Sequence, residues 1–447
     1  MSKRKIILLI MFTVVVALVL GVVYLYQYKN QQNGTEKNTN FFSSFLPFGG
    51  SGTPKPGDDT LPTDISGYIP SDEAGTHDVK LKKVSSVPVA GYGVFTKEIY
   101  KDVPNPDLSA SSRDEFGNNT ELTAPPTEFV PFLRYVDRVT GNIYQTFVDK
   151  IDERKFSSTI IPKVYEAYFG NKGESVIMRY LKEDLPTGQA GNKTIETFVG
   201  NLPKEYLGAD GGVNEVKGFF LPENIMDMGI SPDTSEMFYI FNTNDIAAGV
   251  VLTLETNTKS QVFDSPFTEW LSFWSNEKMI TLTTKPSASV PGYMYAIDPD
   301  KKDLNKILGG INGLTTLASP DGKMILYGDN NMTLNVFNVD TRDSSALSVK
   351  TLPEKCVWAS ADVIYCAVPK YIYPGTYPDL WYQGEVSFLD EIWRIDVDGQ
   401  NATIILDPMS VQSGEEIDAI KLNIDENQDY LFFVNKKDSY LWELRLR

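Results

Sequence analysis

The stretch Leu314–Leu352, LTTLASPDGKMILYGDNNMTLNVFNVDTRDSSALSVKTL, decides the fold. Four apolar runs alternate in it with turn clusters such as Ser-Pro-Asp-Gly, and such clusters end strands. The runs are Leu314–Ala318, Lys323–Gly328, Thr333–Val339 and Ala346–Leu352. Four short antiparallel strands within about 40 residues are typical of one blade of a β-propeller. The chain is therefore predicted to be all-β.

The same landmark, an outer strand followed by the inner strand of the next blade, recurs seven times. Pro closes the outer strand in six copies, where it removes no needed ladder bond. The copies are Val79–Pro88 with Val89–Phe95, Phe156–Pro162 with Val164–Gly170, Val216–Pro222 with Ile225–Ser231, Gln261–Pro266 with Trp270–Ser275, Leu304–Ile311 with Leu314–Ser319, Ala346–Pro353 with Cys356–Ser360, and Ala402–Pro408 with Ile417–Ile424. The prediction is a seven-bladed propeller over residues 78–447.

The two ends of this domain complement each other. The chain ends on Tyr440–Arg447, which reads as a third strand with no fourth strand after it. The segment Val79–Val87 can supply the missing outer strand of the last blade. Closure of this kind removes the open sheet edges that otherwise invite aggregation.

Residues 1–29 read as an N-terminal membrane anchor. Lys3, Arg4 and Lys5 precede Ile6–Tyr26, an uncharged run of 21 residues. As a helix this run is about 32 Å long, enough for a hydrocarbon core of roughly 30 Å. The basic end is expected to stay in the cytoplasm, so the propeller is predicted to lie outside the cell membrane, tethered by a flexible linker at 30–77. The alternative is a cleaved signal peptide, which the absence of a small-residue cleavage site disfavours.

Composition excludes several classes of function. The formal charge is -18, from 41 Lys+Arg against 59 Asp+Glu, and no basic stripe favours nucleic acid. The single His, His77, lies in the linker, which argues against Ser-His-Asp catalysis and His-based zinc sites in the propeller. Acidic turns such as Asp298-Pro-Asp300 do not complete a calcium loop and read as hairpin turns. No metal, cofactor or catalytic residue is predicted.

An aromatic insertion interrupts the sixth blade between its second and third strands, at Lys370–Asp390. Six large aromatic side chains fall there within 18 residues, and such side chains are common at binding surfaces. They are Tyr371, Tyr373, Tyr377, Trp381, Tyr382 and Phe388. The insertion should lie on the face where the inner strands begin, as a platform for a partner protein or a sugar. The alternative is that its aromatics fold down and form a local core.

Two carboxylates align when residues are counted back from the ends of neighbouring inner strands. Glu166 lies in Val164–Gly170 and Asp227 in Ile225–Ser231. Inner strands line the central channel, so both can face one space and bind a cation or perform acid/base chemistry. The alternative is a pair of solvated channel carboxylates.

Cys356 and Cys366 flank a turn centred on Ala361. They should face each other across a hairpin, where a disulfide can form outside the cytoplasm. Two buried free thiols are the alternative.

Short turn motifs resemble those of a known family. Ser231-Pro-Asp-Thr and Ser319-Pro-Asp-Gly-Lys stand between first and second strands, and Ile395-Asp-Val-Asp-Gly ends a third strand. They resemble the WD40-like repeats of the TolB-type propeller and of the dipeptidyl peptidase IV propeller. The resemblance implies a binding scaffold in a bacterial envelope. It does not carry over the peptidase activity, because no hydrolase domain follows.

The leading hypothesis is therefore a non-enzymatic, single-pass protein of the cell membrane. Its extracytoplasmic propeller presents a face to a protein partner as an interaction or scaffold module of the envelope. A carbohydrate-binding or carbohydrate-cleaving propeller that uses the insertion with Glu166 and Asp227 is the alternative, and a structural spacer is the third hypothesis.

Overall fold

The computed structural model describes residues 80–100, 127–148, 153–183, 193–205, 213–399, 401–411 and 414–447. Within these ranges 28 strands form seven four-stranded antiparallel sheets, which confirms the seven-bladed propeller. No helix in the described part is long and apolar enough to cross a membrane. The predicted span Ile6–Tyr26 and the linker at 30–77 lie outside that part.

In the first six blades the four strands follow one another along the chain from the inner to the outer strand. In the seventh blade the outer strand is β1 (Leu81–Lys83), which precedes the first blade in the sequence. Blade 1 has β2 (Val89–Tyr100), β3 (Thr127–Asp137), β4 (Ile143–Phe147) and β5 (Arg154–Lys155). Blade 2 has β6 (Val164–Gly170), β7 (Ser175–Glu183), β8 (Lys193–Asn201) and β9 (Lys217–Phe220). Blade 3 has β10 (Ile225–Ile230), β11 (Glu236–Thr243), β12 (Ile246–Thr253) and β13 (Thr258–Ser265).

The remaining blades repeat the pattern. Blade 4 has β14 (Trp270–Asn276), β15 (Met279–Thr284), β16 (Pro291–Ile297) and β17 (Leu304–Asn312). Blade 5 has β18 (Thr315–Ala318), β19 (Met324–Gly328), β20 (Thr333–Asn338) and β21 (Ser344–Lys350). Blade 6 has β22 (Cys356–Trp358), β23 (Val363–Pro369), β24 (Asp390–Asp396) and β25 (Asn401–Leu406). Blade 7 has β26 (Ala419–Ile424), β27 (Tyr430–Asn435), β28 (Leu441–Arg445) and the returning β1.

Short helical segments occur only in connections of the described part. They are the 3-10 turns Asn171–Gly173, Pro353–Lys355 and Pro408–Ser410, and the single-turn helix α1 (Asp379–Tyr382) inside the insertion. The hydrophobic core is divided into clusters, several of which join neighbouring blades. One cluster joins Val136 of blade 1 to Val176 of blade 2, and another joins Leu326 of blade 5 to Ile364 of blade 6. The blades are therefore held together by apolar packing between sheets.

The Ser-Pro-Asp turns are stabilised by their own side chains. Ser319 Oγ donates to Asp321 Oδ1 at 2.6 Å and accepts from the Met324 backbone N–H at 3.0 Å. Ser231 repeats both contacts with Asp233 and Glu236. Hydrogen bonds of this kind substitute for ladder bonds where the chain reverses. This is the physical reason why the motif marks the connection between first and second strands.

Cys356 and Cys366 form a disulfide, as predicted. The two residues are direct partners in the β22–β23 ladder, and their Cα atoms lie 4.0 Å apart. The expectation for blade 1 is corrected, because its outer strand is Arg154–Lys155 and not Phe156–Pro162. After β5 the chain turns away, and the backbone N–H of Ser158 donates to Asn214 O in the next blade.

The N-terminal closing strand is shorter than the predicted Val79–Val87, but it has the predicted role. β1 pairs antiparallel with β28, with Leu81 opposite Leu444 and Lys83 opposite Trp442. Beyond β1, Val84 N–H still donates to Leu441 O at 2.8 Å. The last blade is thus completed by the chain segment that precedes the first blade.

Replacing Leu81 by Ala should destabilise the ring. Leu81 is 6% exposed and packs in the core of blade 7, so we expect a loss of about 2–4 kcal/mol of unfolding free energy. Denaturant unfolding measures the loss. The matched control is Lys82→Ala, at the adjacent and less buried position of the same strand, for which a loss under about 0.5 kcal/mol is expected. Equal effects of the two substitutions would contradict the closing role of β1.

Candidate functional site

Glu166 and Asp227 occupy equivalent positions on the inner strands β6 and β10. In each strand the ladder register shifts just before the carboxylate, between Val164 and Glu166 and between Ile225 and Asp227. A bulge redirects the side chains that follow it. Both strands carry the same irregularity, and the two carboxylates interact electrostatically, since the charge of Glu166 raises the pKa of Asp227.

Cations and hydrogen-bond donors from blades 2 and 7 stabilise the negative charge of Glu166. Arg179 on β7 forms an ion pair with it at 2.5 Å, and the Tyr168 hydroxyl donates to it at 2.9 Å. Burial alone would raise the pKa of Glu166, but the positive charges of Lys421 and Arg179 and these hydrogen bonds hold it below its usual range. Arg179 also donates to Ile225 O and so joins blade 2 to blade 3. Glu166 is therefore an ionised structural partner in the channel.

Asp227 has a different environment. It accepts hydrogen bonds from the backbone N–H of Ser272 and, at 2.9 Å, from the Ser272 hydroxyl. Burial raises its pKa to about 6, and the charge of Glu166 adds to the rise, while Ser272 and Arg179 oppose it. No cation forms a salt bridge with Asp227 among the described residues. It can therefore exchange a proton near neutral pH.

Glu354 is a third channel carboxyl, which the sequence interpretation missed. It lies on the 3-10 turn Pro353–Lys355 that leads into β22. Its Oε1 accepts from the Tyr382 hydroxyl, and its Oε2 is buried with no hydrogen-bond partner in the described part of the chain. Burial raises its pKa to about 7, and the charge of Asp227 adds to the rise. Nothing in the sequence distinguishes this residue from the rest of the 59 acidic residues.

The aromatic insertion divides into a buried and an exposed half. Tyr377, Trp381 and Phe388 are buried in one cluster with Met332 and Leu352, as expected for a local core. The other three remain at the surface: Tyr371 and Tyr373 are each 67% exposed, and Tyr382 is 41% exposed. The insertion therefore forms a local core and also presents a tyrosine surface.

Contacts with distant blades hold the insertion over the channel. Asp379 at the start of α1 accepts from Ala288 N–H at 2.7 Å, in the β15–β16 connection of blade 4. Lys436, between β27 and β28 of blade 7, donates to Trp381 O and lies 4.0 Å above the Trp381 ring. Blades 4 and 7 are not neighbours, so a segment of blade 6 that contacts both must cross the ring. It does so on the face where the inner strands begin, which we call the insertion face. We call the space between Asp227, Glu354 and Tyr382 the channel mouth.

Two other depressions are less suited to acid/base catalysis than the channel mouth. One, of about 390 Å³, lies between blades 1 and 7 and contains Asp425, whose carboxylate accepts from the Tyr430 N–H of its own turn. The other, of about 340 Å³, lies between blades 1 and 2 and is lined mainly by apolar residues such as Ile160 and Phe220. No cluster of three or more His, Cys, Asp or Glu suited to a metal ion occurs within the described ranges.

Known proteins of similar structure exist, but no comparison assigns this chain to a family. No family model and no curated protein sequence matches this chain. A puromycin-hydrolysing peptidase from Mycobacterium tuberculosis is similar in structure over 68% of this chain, with 11% identity and a TM-score of 0.43, and the match covers only 48% of that protein. An oligogalacturonate lyase from Vibrio parahaemolyticus is similar over 71% of this chain and 86% of its own, with 8% identity and a TM-score of 0.46. An oligogalacturonate lyase in complex with manganese is similar over 71% and 85%, with 8% identity and a TM-score of 0.43.

These comparisons correct one expectation. The expectation that the chain is not an enzyme is withdrawn, since the similar structures named above are enzymes. At such identities and TM-scores the likeness concerns the fold alone and assigns no reaction. The resemblance to the TolB-type family is matched by no family model, and its motifs stand as turn motifs of a propeller.

Replacing Glu354 by Gln should change how stability depends on pH. The pKa of Glu354 in the folded chain, about 7, exceeds the value of about 4.3 for an unfolded chain. The protonated Glu354 carboxyl stabilises the folded chain fully below the pKa that it has in the unfolded chain. This stabilisation is lost as the pH rises through about 7. We therefore expect the unfolding free energy of the wild type to fall relative to that of Glu354→Gln between about pH 5 and about pH 8.

Urea titrations at both pH values measure this difference. The matched control is Glu255→Gln on the exposed β12–β13 turn, which should follow the wild type at both values. A difference between wild type and Glu354→Gln that stays constant over the range would contradict the raised pKa.

Proposed function

We propose that this chain is a membrane-anchored extracytoplasmic propeller that binds a carbohydrate at its channel mouth and transfers protons on it with Glu354 and Asp227. The observation that carries the proposal is the presence there of two interacting carboxyls whose pKa values are raised to about 7 and about 6. The disulfide and the basic start of residues 1–29 support the location, since disulfides persist outside the cytoplasm.

The channel mouth combines the groups that a carbohydrate requires. The half-exposed Tyr382 offers an aromatic face, on which the C–H face of a sugar ring can stack. Glu354 Oε2, buried and without a partner in the described part, can exchange hydrogen bonds with a sugar hydroxyl. A few convergent polar groups beside an aromatic surface are typical of small-ligand sites.

The two carboxyls differ in a way that suits acid/base catalysis. Glu354 has the higher pKa and retains its proton more readily, so it is the donor to a leaving oxygen. Asp227 has the lower pKa of the two and is more ionised near neutral pH, so it is the acceptor. Glu166 stays ionised in its pair with Arg179 and helps to keep the pKa of Asp227 high.

Glu354→Gln and Asp227→Asn should each lower turnover of a carbohydrate substrate at least about a hundredfold, because each removes one proton-transfer group. The purified full-length chain is first screened on a glycan array. Bound glycans are then incubated with the wild type and the variants, and the products are measured by mass spectrometry. Glu255→Gln is the matched control and should retain full turnover. Turnover that is unchanged in both channel variants, or no bound glycan for the wild type, would contradict the proposal.

A second candidate is a protein partner on the same face, favoured by Tyr371 and Tyr373. Both side chains are 67% exposed and stand two residues apart on the insertion. Exposed aromatics of this kind are enriched at protein interfaces. Deleting the whole insertion would also remove buried Trp381 and Phe388, so a surface substitution is the better probe.

The double substitution Tyr371→Ser/Tyr373→Ser should abolish capture of such a partner by crosslinking in native membranes while leaving the fold intact. The matched control is Phe129→Ser, which removes a 70% exposed aromatic on the β2–β3 hairpin of the opposite face. Mass spectrometry of crosslinked material identifies the partner. A partner that is captured equally by both variants would place the interface elsewhere.

A further inference from the structure

A buried cluster of one amine and two carboxyls lies beneath the insertion, apart from the channel mouth. Lys355 Nζ lies 2.8 Å from Asp390 Oδ2 and 2.5 Å from Asp418 Oδ1, and all three side chains are fully buried. Lys355 Nζ also donates to Ala419 O at 2.9 Å. The three residues come from the turn before β22, the first position of β24 and the segment just before β26.

Aromatic side chains of the insertion enclose this cluster. The centroids of the Trp381 and Phe388 rings each lie 5.5 Å from Lys355 Nζ. The Lys355 side chain has no exposed surface. An amine and a carboxyl are thus held in contact in an apolar enclosure, where charged forms are disfavoured.

The two carboxyls are not equivalent. Asp418 accepts from the Trp381 indole N–H, the Ser387 hydroxyl and the Phe388 backbone N–H, in addition to Lys355. Burial alone would raise its pKa, but the charge of Lys355 and these hydrogen bonds hold it below its usual range. Asp418 is therefore the ionised member of the cluster.

Asp390 has fewer hydrogen-bond donors than Asp418, and its pKa is shifted in the opposite direction. Its Oδ2 accepts from Lys355 and from the Ala419 N–H at 2.7 Å, but its Oδ1 is buried with no partner within the described residues. Burial raises its pKa to about 6, against the opposing charge of Lys355. If all three groups were ionised, the enclosure would hold a net negative charge.

We propose that Lys355 and Asp390 form an intramolecular amide bond, with Asp418 as the proton carrier. Lys355 Nζ passes one proton to the Asp390 carboxylate, which it contacts at 2.8 Å, and then attacks Cγ of that carboxyl, so that a C–N bond forms. Asp418 accepts a proton from the nitrogen and delivers it to the departing hydroxyl. The C–O bond breaks, one water molecule leaves and Asp418 ends ionised as it began. The step requires no oxidant or cofactor.

The bond would tie the last residue of the insertion to the turn before β22. Lys355 lies directly before Cys356, whose disulfide spans β22 and β23, and Asp390 is the last residue of the insertion. A covalent link between the β22 turn and β24 would hold the base of the insertion in place even under reducing conditions. The exposed tyrosines above it would thereby stay in position over the channel.

The test is a mass measurement on the wild-type chain. After full reduction, which removes the contribution of the disulfide, the intact mass should be lower than that of the linear sequence by one molecule of water. Trypsin cleavage should fail after Lys355. The peptide spanning 351–370 should be recovered joined to the peptide spanning 371–394, which contains Asp390.

The position of Arg394 makes this digest selective. Asp390 and Asp418 fall on opposite sides of Arg394, so the two possible linkages yield different joined peptides. An intact mass equal to the linear sequence, with both peptides recovered separately, would overturn the proposal. Recovery of 351–370 joined to the peptide that contains Asp418 would overturn the assignment of Asp390.

Two variants test the roles of Lys355 and Asp418 separately. Lys355→Arg removes the nucleophile, and Asp418→Asn removes the proton carrier, so both should show the full linear mass. The matched control is Lys370→Arg, which alters a lysine that pairs with Asp407 at 2.7 Å at the protein surface and should retain the loss of water. Loss of water that persists in Asp418→Asn would overturn the role of Asp418.

Discussion

The antiparallel pairing of β1 with β28 is the constraint on which the rest of the molecule depends. Seven sheets in a row would leave an inner channel open on one side and expose unpaired strand edges. The pairing of Leu81 with Leu444 closes the ring with hydrogen bonds, and Val84 and Phe432 belong to the apolar cluster beside it. The charges of Glu166 and Lys421, from blades 2 and 7, interact only because the closed ring brings the inner strands of these blades around one space.

Several carboxyl groups of the structure are buried with few cations and hydrogen-bond donors beside them. Where donors and cations converge, as at Asp418, the pKa is lowered. Where they are fewer, as at Asp227, Glu354 and Asp390, burial prevails and the pKa rises. One 3-10 turn serves both regions, because it directs Glu354 to the channel and its neighbour Lys355 into the core.

Glu166 and Asp227 occupy equivalent strand positions, as the alignment of the sequence placed them, because their two strands carry the same register shift. An alignment counted along the sequence remains valid when both members deviate in the same way. Phe156–Pro162 shows the limit of such counting. Its composition suits a strand, but the regular ladder with β4 ends after Phe156 and Ser157, which both donate to Ile143 O. Ser158 N–H then donates to Asn214 O in the next blade.

The sequence alone determined the number of blades, the closing strand and the disulfide, because each depends on local information: period-two alternation, turn residues and positions opposed across one hairpin. Only the tertiary structure decided which aromatics of the insertion are buried and that Glu354 joins Asp227. It also decided that Lys355 meets Asp390 and Asp418. These contacts join residues from different blades, and their positions depend on how the ring closes and how the insertion folds across it. No periodicity within a segment carries that information.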